Sequence, residues 1–289
     1  MLVALLRAMR PHQWVKNLFV LAPLVFAKEL LHAPMALRTL AGFALFSLAA
    51  STVYLLNDLN DVEADRAHPV KCRRPIASGQ LPERLARNAA FGLAVVAIGG
   101  SLPLSPWLAA CILGYLALNL AYSKRLKRIA YLDVMCITAG FELRVLAGAF
   151  AADVPASWYL IIVTLLLATF LGFGKRMHEL MQGEGATKQR SVLAQYDQRT
   201  LTILLFLTAL ATVATYAVYT LDPHTREAFD TDYLIVTTAM PLFGVLRFLH
   251  LVRRRHEAES PTDDMLRDKP FLLNLLFWAG AVLVVIYFT

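Results

Sequence analysis

The stretch "NDLNDVEADRAHPVKCRRPIASG", residues 57–79, decides how this chain is read, and it follows about twenty mostly apolar residues, enough to cross a bilayer. Asp58, Asp61 and Asp65 stand in it at spacings of three and four, and Arg66, Lys71, Arg73 and Arg74 follow within nine residues. On an uninterrupted helix the aspartates fall at i, i+3 and i+7 and share one face. Glu63 points elsewhere, toward solvent. Carboxylates this close repel one another, and an apolar helix end makes their desolvation costly. A divalent cation among them resolves both problems. Mg²⁺ suits the place, being a hard ion commonly held by one or two carboxylates, waters and phosphate oxygens. An acidic helix end paired with its neighbouring Arg and Lys is the alternative. The basic cluster favours the cation, because a metal beside cationic side chains suits a diphosphate leaving group. Pro75, Gly79 and Pro82 then stop the helix and bend the chain.

The surrounding composition fits an integral membrane protein. The chain has 289 residues, of which 58% are hydrophobic and 17% charged, and the mean hydropathy is +0.55. Those values lie outside the range of an ordinary soluble domain. Arg7 and Arg10 precede an apolar stretch, but no small-residue cleavage site follows, so "WVKNLFVLAPLVFA" is expected as the first span. Cys72, Cys111 and Cys136 are far apart and form no disulfide or zinc pattern, and the histidines show no common ligand spacing.

Apolar runs between breakers predict nine helices, near residues 14–27, 37–56, 87–102, 107–122, 132–152, 158–173, 201–221, 233–251 and 271–288. The connections alternate in charge. One set carries Arg7, Arg10, Lys16, Arg66, Lys71, Arg73, Arg74, Arg84, Arg87, Lys124, Arg125, Lys127 and Arg128. It continues with Lys175, Arg176, Lys188, Arg190, Arg199, Arg253, Arg254, Arg255, Arg267 and Lys269, against only Lys28, Arg38 and Arg226 in the other set. The positive-inside rule places the richer set in the cytoplasm, with the N-terminus inside and an odd number of spans. The expected organisation is one polytopic domain with cytoplasmic loops near 58–86, 123–131, 174–200 and 252–270. Membrane lipids and small anions are the expected partners, and nucleic acid is not. Oligomerisation is left open.

The 57–79 stretch resembles the first signature of the UbiA-type intramembrane prenyltransferase superfamily, NDxxDxxxD followed by basic residues and RPxxSG. The resemblance implies an all-α membrane protein, a nine-helix bundle with its active-site mouth on the cytoplasmic side. It also implies Mg²⁺–diphosphate binding by Asp58, Asp61 and Asp65, with Asn57 adjacent. Members that prenylate aromatic acceptors usually carry a second, DxxxD-like motif after the sixth helix. Here that place reads "FLGFGKRMHELMQGEG", where Glu179 stands with Lys175 and Arg176. One carboxylate with two cations suits direct phosphate binding better than a second metal cluster. Together with "MRPHQWVKNLFVLAPL" and "YSKRLKRIAYLDVMCITAGFELRVLAG", the chain resembles the phosphoribosyltransferase branch. The resemblance implies phosphoribosyl pyrophosphate as donor, a polyprenyl phosphate as acceptor and a bacterial inner-membrane location.

The expected phosphate contacts are Arg66, Lys71, Arg73 and Arg74 from the aspartate loop, with Tyr122, Lys124 and Lys127 after helix four. Asp133 is expected to ligate metal, meet a ribose hydroxyl or pair with a neighbour such as Lys127. Lys175, Arg176 and Glu179 are expected at substrate, and Lys16 and Asn17 at the lipid phosphate near the inner face. Glu142 and Arg144 are ionisable residues inside a span, where charge is expensive, so Arg144 is a further substrate candidate. Arg247 is expected to snorkel. A prenyl-diphosphate-dependent transferase and a transporter are the competing readings.

Overall fold

The computed structural model describes residues 1–181, 191–253, 265 and 267–288. Lys188, Arg190, Arg254 and Arg255, four of the cations expected to mark the inner face, lie outside the described residues. All regular elements among the described residues are helical. In order they are α1 (Leu2–Met9), a 3₁₀ segment (Pro11–Val20), α2 (Ala22–Phe26), α3 (Ala33–Asn60), α4 (Val62–Ala67) and α5 (Glu83–Ser101). Then come α6 (Pro106–Lys124), α7 (Leu132–Ala152), α8 (Trp158–Met181), α9 (Gln198–Leu221), α10 (Pro223–Phe229), α11 (Ala239–Arg253) and α12 (Lys269–Phe288). Further short 3₁₀ turns cover Lys71–Arg73, Leu126–Arg128, Ser191–Gln195 and Tyr233–Thr238.

Among the described residues, seven helices are long and apolar enough to cross a membrane, and the chain is a multi-pass membrane protein. Three of the nine expected spans differ from expectation; the eighth begins as the 3₁₀ turn Tyr233–Thr238 and becomes α-helical only at Ala239, the two pieces together forming one of the seven. The first is not one α-helix but the 3₁₀ segment followed by α2; Pro23, which has no N–H to give a carbonyl in the preceding turn, interrupts an α-helix running through both pieces. The third, α5, is helical but is not among the seven; Glu83, Arg84 and Arg87 load its first turns with charge. In α12 only 11% of the apolar stretch is buried, and Leu276, Phe277 and Phe288 project outward. Such a surface is stable against lipid and not against water.

The chain folds as two compact units. The first comprises Met1–Lys124 and Leu143–Ala156. Its core packs Phe46, Ala49 and Val53 of α3 against Leu108 and Ile112 of α6 and Ala147 and Ala151 of α7. The 3₁₀ segment approaches α7 so closely that a Cβ on Gly148 would lie 1.9 Å from the Val20 carbonyl oxygen. A second cluster joins Ala4, Ala8 and Met9 of α1 to Leu55, Val62, Ile76 and Leu81, which steadies the region around the aspartates. At the other end of α3, Arg38 donates from Nε to the Ala151 carbonyl at 3.2 Å and from Nη2 to the Leu104 carbonyl at 2.8 Å. A cation there satisfies carbonyls that helix ends leave open.

The second unit comprises Arg125–Glu142 and Ser157–Thr289. Phe170, Phe173 and Met177 of α8 pack with Val134, Leu201, Leu205, Phe248 and Val252. Arg247 and Asp268 form a two-pronged pair, Nε to Oδ1 at 3.0 Å and Nη2 to Oδ2 at 2.7 Å, joining α11 to the start of α12. Arg247 therefore has a partner rather than only snorkelling.

Candidate active site: an aspartate pair held by two arginines

Helix α3 ends at Asn60, and Asp61 (φ −100°, ψ 10°) breaks it before α4 begins. The continuous helix assumed for the three aspartates is thus interrupted at the middle one. Asp58 and Asp65 are buried, 2% and 4% exposed, whereas Asp61 is exposed. Arg74 Nη1 bridges the buried pair, donating to Asp58 Oδ1 at 3.2 Å and to Asp65 Oδ2 at 2.7 Å. Its loop is closed by Ser78 N–H to the Arg74 carbonyl at 2.9 Å and by Gly79, whose φ of +76° is a left-handed conformation that glycine adopts freely.

A second guanidinium reaches the same oxygen. Arg10 Nη2 donates to Asp58 Oδ1 at 2.6 Å, and its charge lies over the Tyr54 ring, 5.2 Å from the centroid. Arg10 is itself left-handed (φ 53°, ψ 60°), at the junction where Pro11 prevents α1 from continuing. Sequence reasoning counted Arg10 only as a topology charge. The proline directly after it was the available signal that its side chain leaves the helix line.

The remaining loop cations divide. Arg66 pairs at the surface with Glu63 at 2.8 Å and Glu83 at 3.1 Å, so it is committed away from the buried aspartates. Lys71 and Arg73 make no ion pair among the described residues. Asn57 accepts a hydrogen bond from Ser123 Oγ at 2.6 Å, which ties the end of α6, with half-buried Tyr122 and exposed Lys124, to the residue beside Asp58.

Asn17 and Arg144 come together, but not at the aspartates. Arg144 Nε donates to Asn17 Oδ1 at 2.8 Å and Arg144 Nη2 to Tyr115 Oη at 3.1 Å. Asn17 Nδ2 donates to Ser47 Oγ at 3.0 Å. Ser47 and Asp58 are eleven residues apart on α3, roughly 16 Å along a helix axis. The expected inner-face lipid-phosphate contact at Asn17 is therefore a buried network in the middle of α3. Lys16 beside it is half-buried. The rings of Phe46 and Tyr115, 5.3 and 4.8 Å from the Arg144 guanidinium carbon, add favourable quadrupole contacts.

In the second unit Asp133 and Arg176 are both fully buried and form an ion pair at 2.8 Å, a close charge contact rather than a well-aligned hydrogen bond. Arg176 also pairs with Glu179. Asp133 thus meets Arg176, not Lys127, and Arg176, expected at substrate, lies fully buried in this ion pair. Tyr196 Oη donates to Asp133 Oδ1 at 2.5 Å. Burial, reinforced by that bond, pushes the Tyr196 phenol well up from its ordinary value. Lys175 is half-buried, as is Lys127, which makes no ion pair among the described residues. His178 is buried with Nδ1 3.4 Å from the Val252 carbonyl.

Among the described residues, no group of three or more His, Cys, Asp or Glu side chains is arranged to hold a metal ion. The break at Asp61 turns that carboxylate outward, so the three-aspartate cluster expected from helical spacing is not gathered. Asp58 and Asp65 do converge, and a cationic nitrogen of Arg74 sits where their oxygens meet. That pair of hard donors fits Mg²⁺, which completes its shell with water and phosphate oxygens.

The UbiA prenyltransferase family model matches residues 17–266 of the chain. The decaprenyl-phosphate phosphoribosyltransferase of Mycolicibacterium smegmatis is 36% identical over 296 residues, covering 99% of this chain and 93% of its own length. The Mycobacterium tuberculosis enzyme of the same name is 34% identical over 288 residues, covering 98% and 94%. A UbiA homolog from Archaeoglobus fulgidus, solved with DMAPP and Mg²⁺, superposes with a TM-score of 0.70 over 99% of both chains at 16% identity, a likeness of fold. Matched along most of its length and sharing this all-helical architecture, the chain belongs to the UbiA prenyltransferase family.

Proposed function

We propose that the protein is a polyprenyl-phosphate phosphoribosyltransferase, moving 5-phosphoribose from phosphoribosyl pyrophosphate to a polyprenyl phosphate of the decaprenyl type. The observation that carries this reading is the near-full-length similarity to decaprenyl-phosphate phosphoribosyltransferases, 36% over 99% of the chain. An oxygen of the lipid phosphate attacks the anomeric carbon, and the bond from that carbon to diphosphate breaks with its electron pair leaving on the diphosphate. The nucleophile is already ionised, so no general base is required, and alignment with charge stabilisation supplies the rate.

Asp58 and Asp65, with exposed Asp61 as a third carboxylate, are proposed to hold Mg²⁺. The ion would offset the charge that grows on the departing diphosphate. Arg74 and Arg10, now bound to those carboxylates, present guanidinium forks suited to phosphate oxygens once a metal takes over the aspartates. Lys71 and Arg73 add further cations from the same loop. Asn57 and Tyr122 border this group, and Lys124, Lys127, Lys16 and Lys175 are proposed to meet substrate phosphates. Asp133, Arg176, Glu179, Asn17 and Arg144 are assigned to holding the interior in place, on the strength of the contacts they already make. We further propose nine spans, the N-terminus in the cytoplasm and a bacterial inner-membrane location, supported by the charge asymmetry of the connections.

The assay is diphosphate release by the purified protein with Mg²⁺, phosphoribosyl pyrophosphate and polyprenyl phosphate. Release that requires the lipid phosphate is expected. Silence there, alongside turnover of a prenyl diphosphate with an aromatic acceptor, would overturn the proposal. Asp58→Asn is expected to reduce the rate about a hundredfold to a thousandfold while the protein remains folded.

A further inference from the structure

The loop between α6 and α7 carries Lys127 and Arg128 but makes little structure of its own beyond one 3₁₀ turn. Its backbone is instead held by the segment that precedes α9. Gln195 brackets it with both ends of one amide: Nε2 donates to the Arg128 carbonyl at 3.1 Å, and Oε1 accepts the Ala130 N–H at 3.3 Å. Tyr196 takes the next amide, its Oη accepting the Tyr131 N–H at 2.8 Å while donating to Asp133 Oδ1 at 2.5 Å.

Tyr131 needs this support. Its φ of 66° is left-handed, a conformation disfavoured for a bulky side chain. Its ring stacks obliquely on Tyr196, centroids 4.9 Å apart, and meets Phe173 edge-on at 6.5 Å. Behind Tyr196 the anchor is stiff. Asp133 and Arg176 are wholly buried and ion-paired, and Asp133 Oδ1 also accepts the Val134 N–H at 2.9 Å. Val192 and Leu193 are buried, and Val192 sinks into the same core as Phe173, so the segment carrying the two contacts is itself fixed.

We propose that Gln195 and Tyr196 form a clasp that sets the backbone of loop 125–131, and that they are positioning residues which hold Lys127 for contact with a substrate phosphate. The inference rests on the reading above that Lys127 meets such a phosphate. The clasp explains why a left-handed tyrosine is kept at the end of a basic loop. It also gives the "AQY" sequence, which the reaction does not otherwise use, a physical role, since a loop free to sample many conformations would lose the effective concentration of its cation.

Tyr196→Phe keeps the ring and its packing and removes only the hydroxyl. Gln195→Ala alters an exposed side chain and serves as the second variant should the first fail to fold. Each is expected to raise the KM for phosphoribosyl pyrophosphate about tenfold with a smaller change in kcat. Tyr196→Phe, which leaves buried Asp133 and the Tyr131 N–H short of a partner, should also lower the thermal midpoint, whereas Gln195→Ala at an exposed side chain should leave it unchanged. Lys127→Ala should raise that KM at least as far. In the Lys127→Ala background the clasp variants should add nothing, a coupling that a merely structural role would not produce. Unchanged KM in both clasp variants, or additive effects with Lys127→Ala, would overturn the clasp and leave the role of Lys127 standing. A neutral Lys127→Ala would instead remove the reading on which the clasp rests, and the clasp with it.

Discussion

One oxygen of Asp58 receives two guanidinium groups, and Asp65 shares one of them, so the buried negative charge of this site is already balanced by side chains. Arg74 is the shared member; both of its contacts come from the one nitrogen Nη1, and a lysine in its place keeps a single nitrogen for the carboxylates but loses the fork proposed for a phosphate. Arg74→Lys is therefore expected to lower kcat/KM by roughly tenfold to a hundredfold. Arg74→Ala should also destabilise the fold, by less than the ~3–5 kcal/mol typical of a fully buried pair, because the Arg74 side chain keeps 25% of its surface in solvent. Thermal melting of the two variants beside their kinetics separates the effects. A pH dependence arises elsewhere, at Asp268. The hydrogen bonds from Arg247 hold its carboxyl below the usual carboxylate range, against a smaller opposing effect of burial. A depressed folded value means stabilisation that is complete above the unfolded value of about 4 and is lost as pH falls through the folded one. Asp268→Asn should accordingly lower the thermal midpoint by roughly 2–4 °C at pH 7, and the difference should vanish in strong acid. Asp58, Asp65 and Arg74 were legible in the sequence because they lie within one turn-rich stretch. Asp61 was misplaced, since helical spacing does not reveal where a helix breaks. The partner of Asp133 was illegible: Arg176 is distant in the chain, and only the fold brings the two together.

Among the elements, the apolar runs that became α3, α6, α7, α8, α9 and α12 were readable by length alone. The first expected span was not, because Pro23 marks where the apolar run is interrupted but does not show that the stretch before it winds as a 3₁₀ helix. The result is a 3₁₀ segment pressed onto α7 at Gly148, where even a methyl group would meet the backbone oxygen of Val20. Backbone cannot rotate away as a side chain can, so Gly148→Ala is expected to destabilise by about 1–3 kcal/mol or more. A drop in thermal midpoint and in yield of folded protein would show it, and an unperturbed melt would contradict the close approach. The left-handed Arg10 is a second consequence of this junction. It turns a residue that belonged to the charge pattern of the first loop into a ligand of Asp58.

For the molecule as a whole, the alternation of basic and nearly charge-free connections supports the orientation proposed for the chain. Cys72 lies partly exposed in the aspartate loop, while Cys111 and Cys136 are buried. A membrane-impermeant maleimide should label Cys72 in inverted vesicles and leave intact cells unlabelled; labelling of intact cells would reverse the proposed orientation. The clustering of aspartates and arginines at one end of α3 agrees with a site at that membrane face, and the family relationship supplies the chemistry proposed for it. The most direct test of that chemistry is the mass of the lipid formed from phosphoribosyl pyrophosphate, Mg²⁺ and polyprenyl phosphate by the purified protein. The expected product is a polyprenyl phosphate enlarged by one phosphoribosyl group, formed in step with free diphosphate. A lipid phosphate recovered unchanged by protein that transfers a prenyl group from a prenyl diphosphate would contradict it.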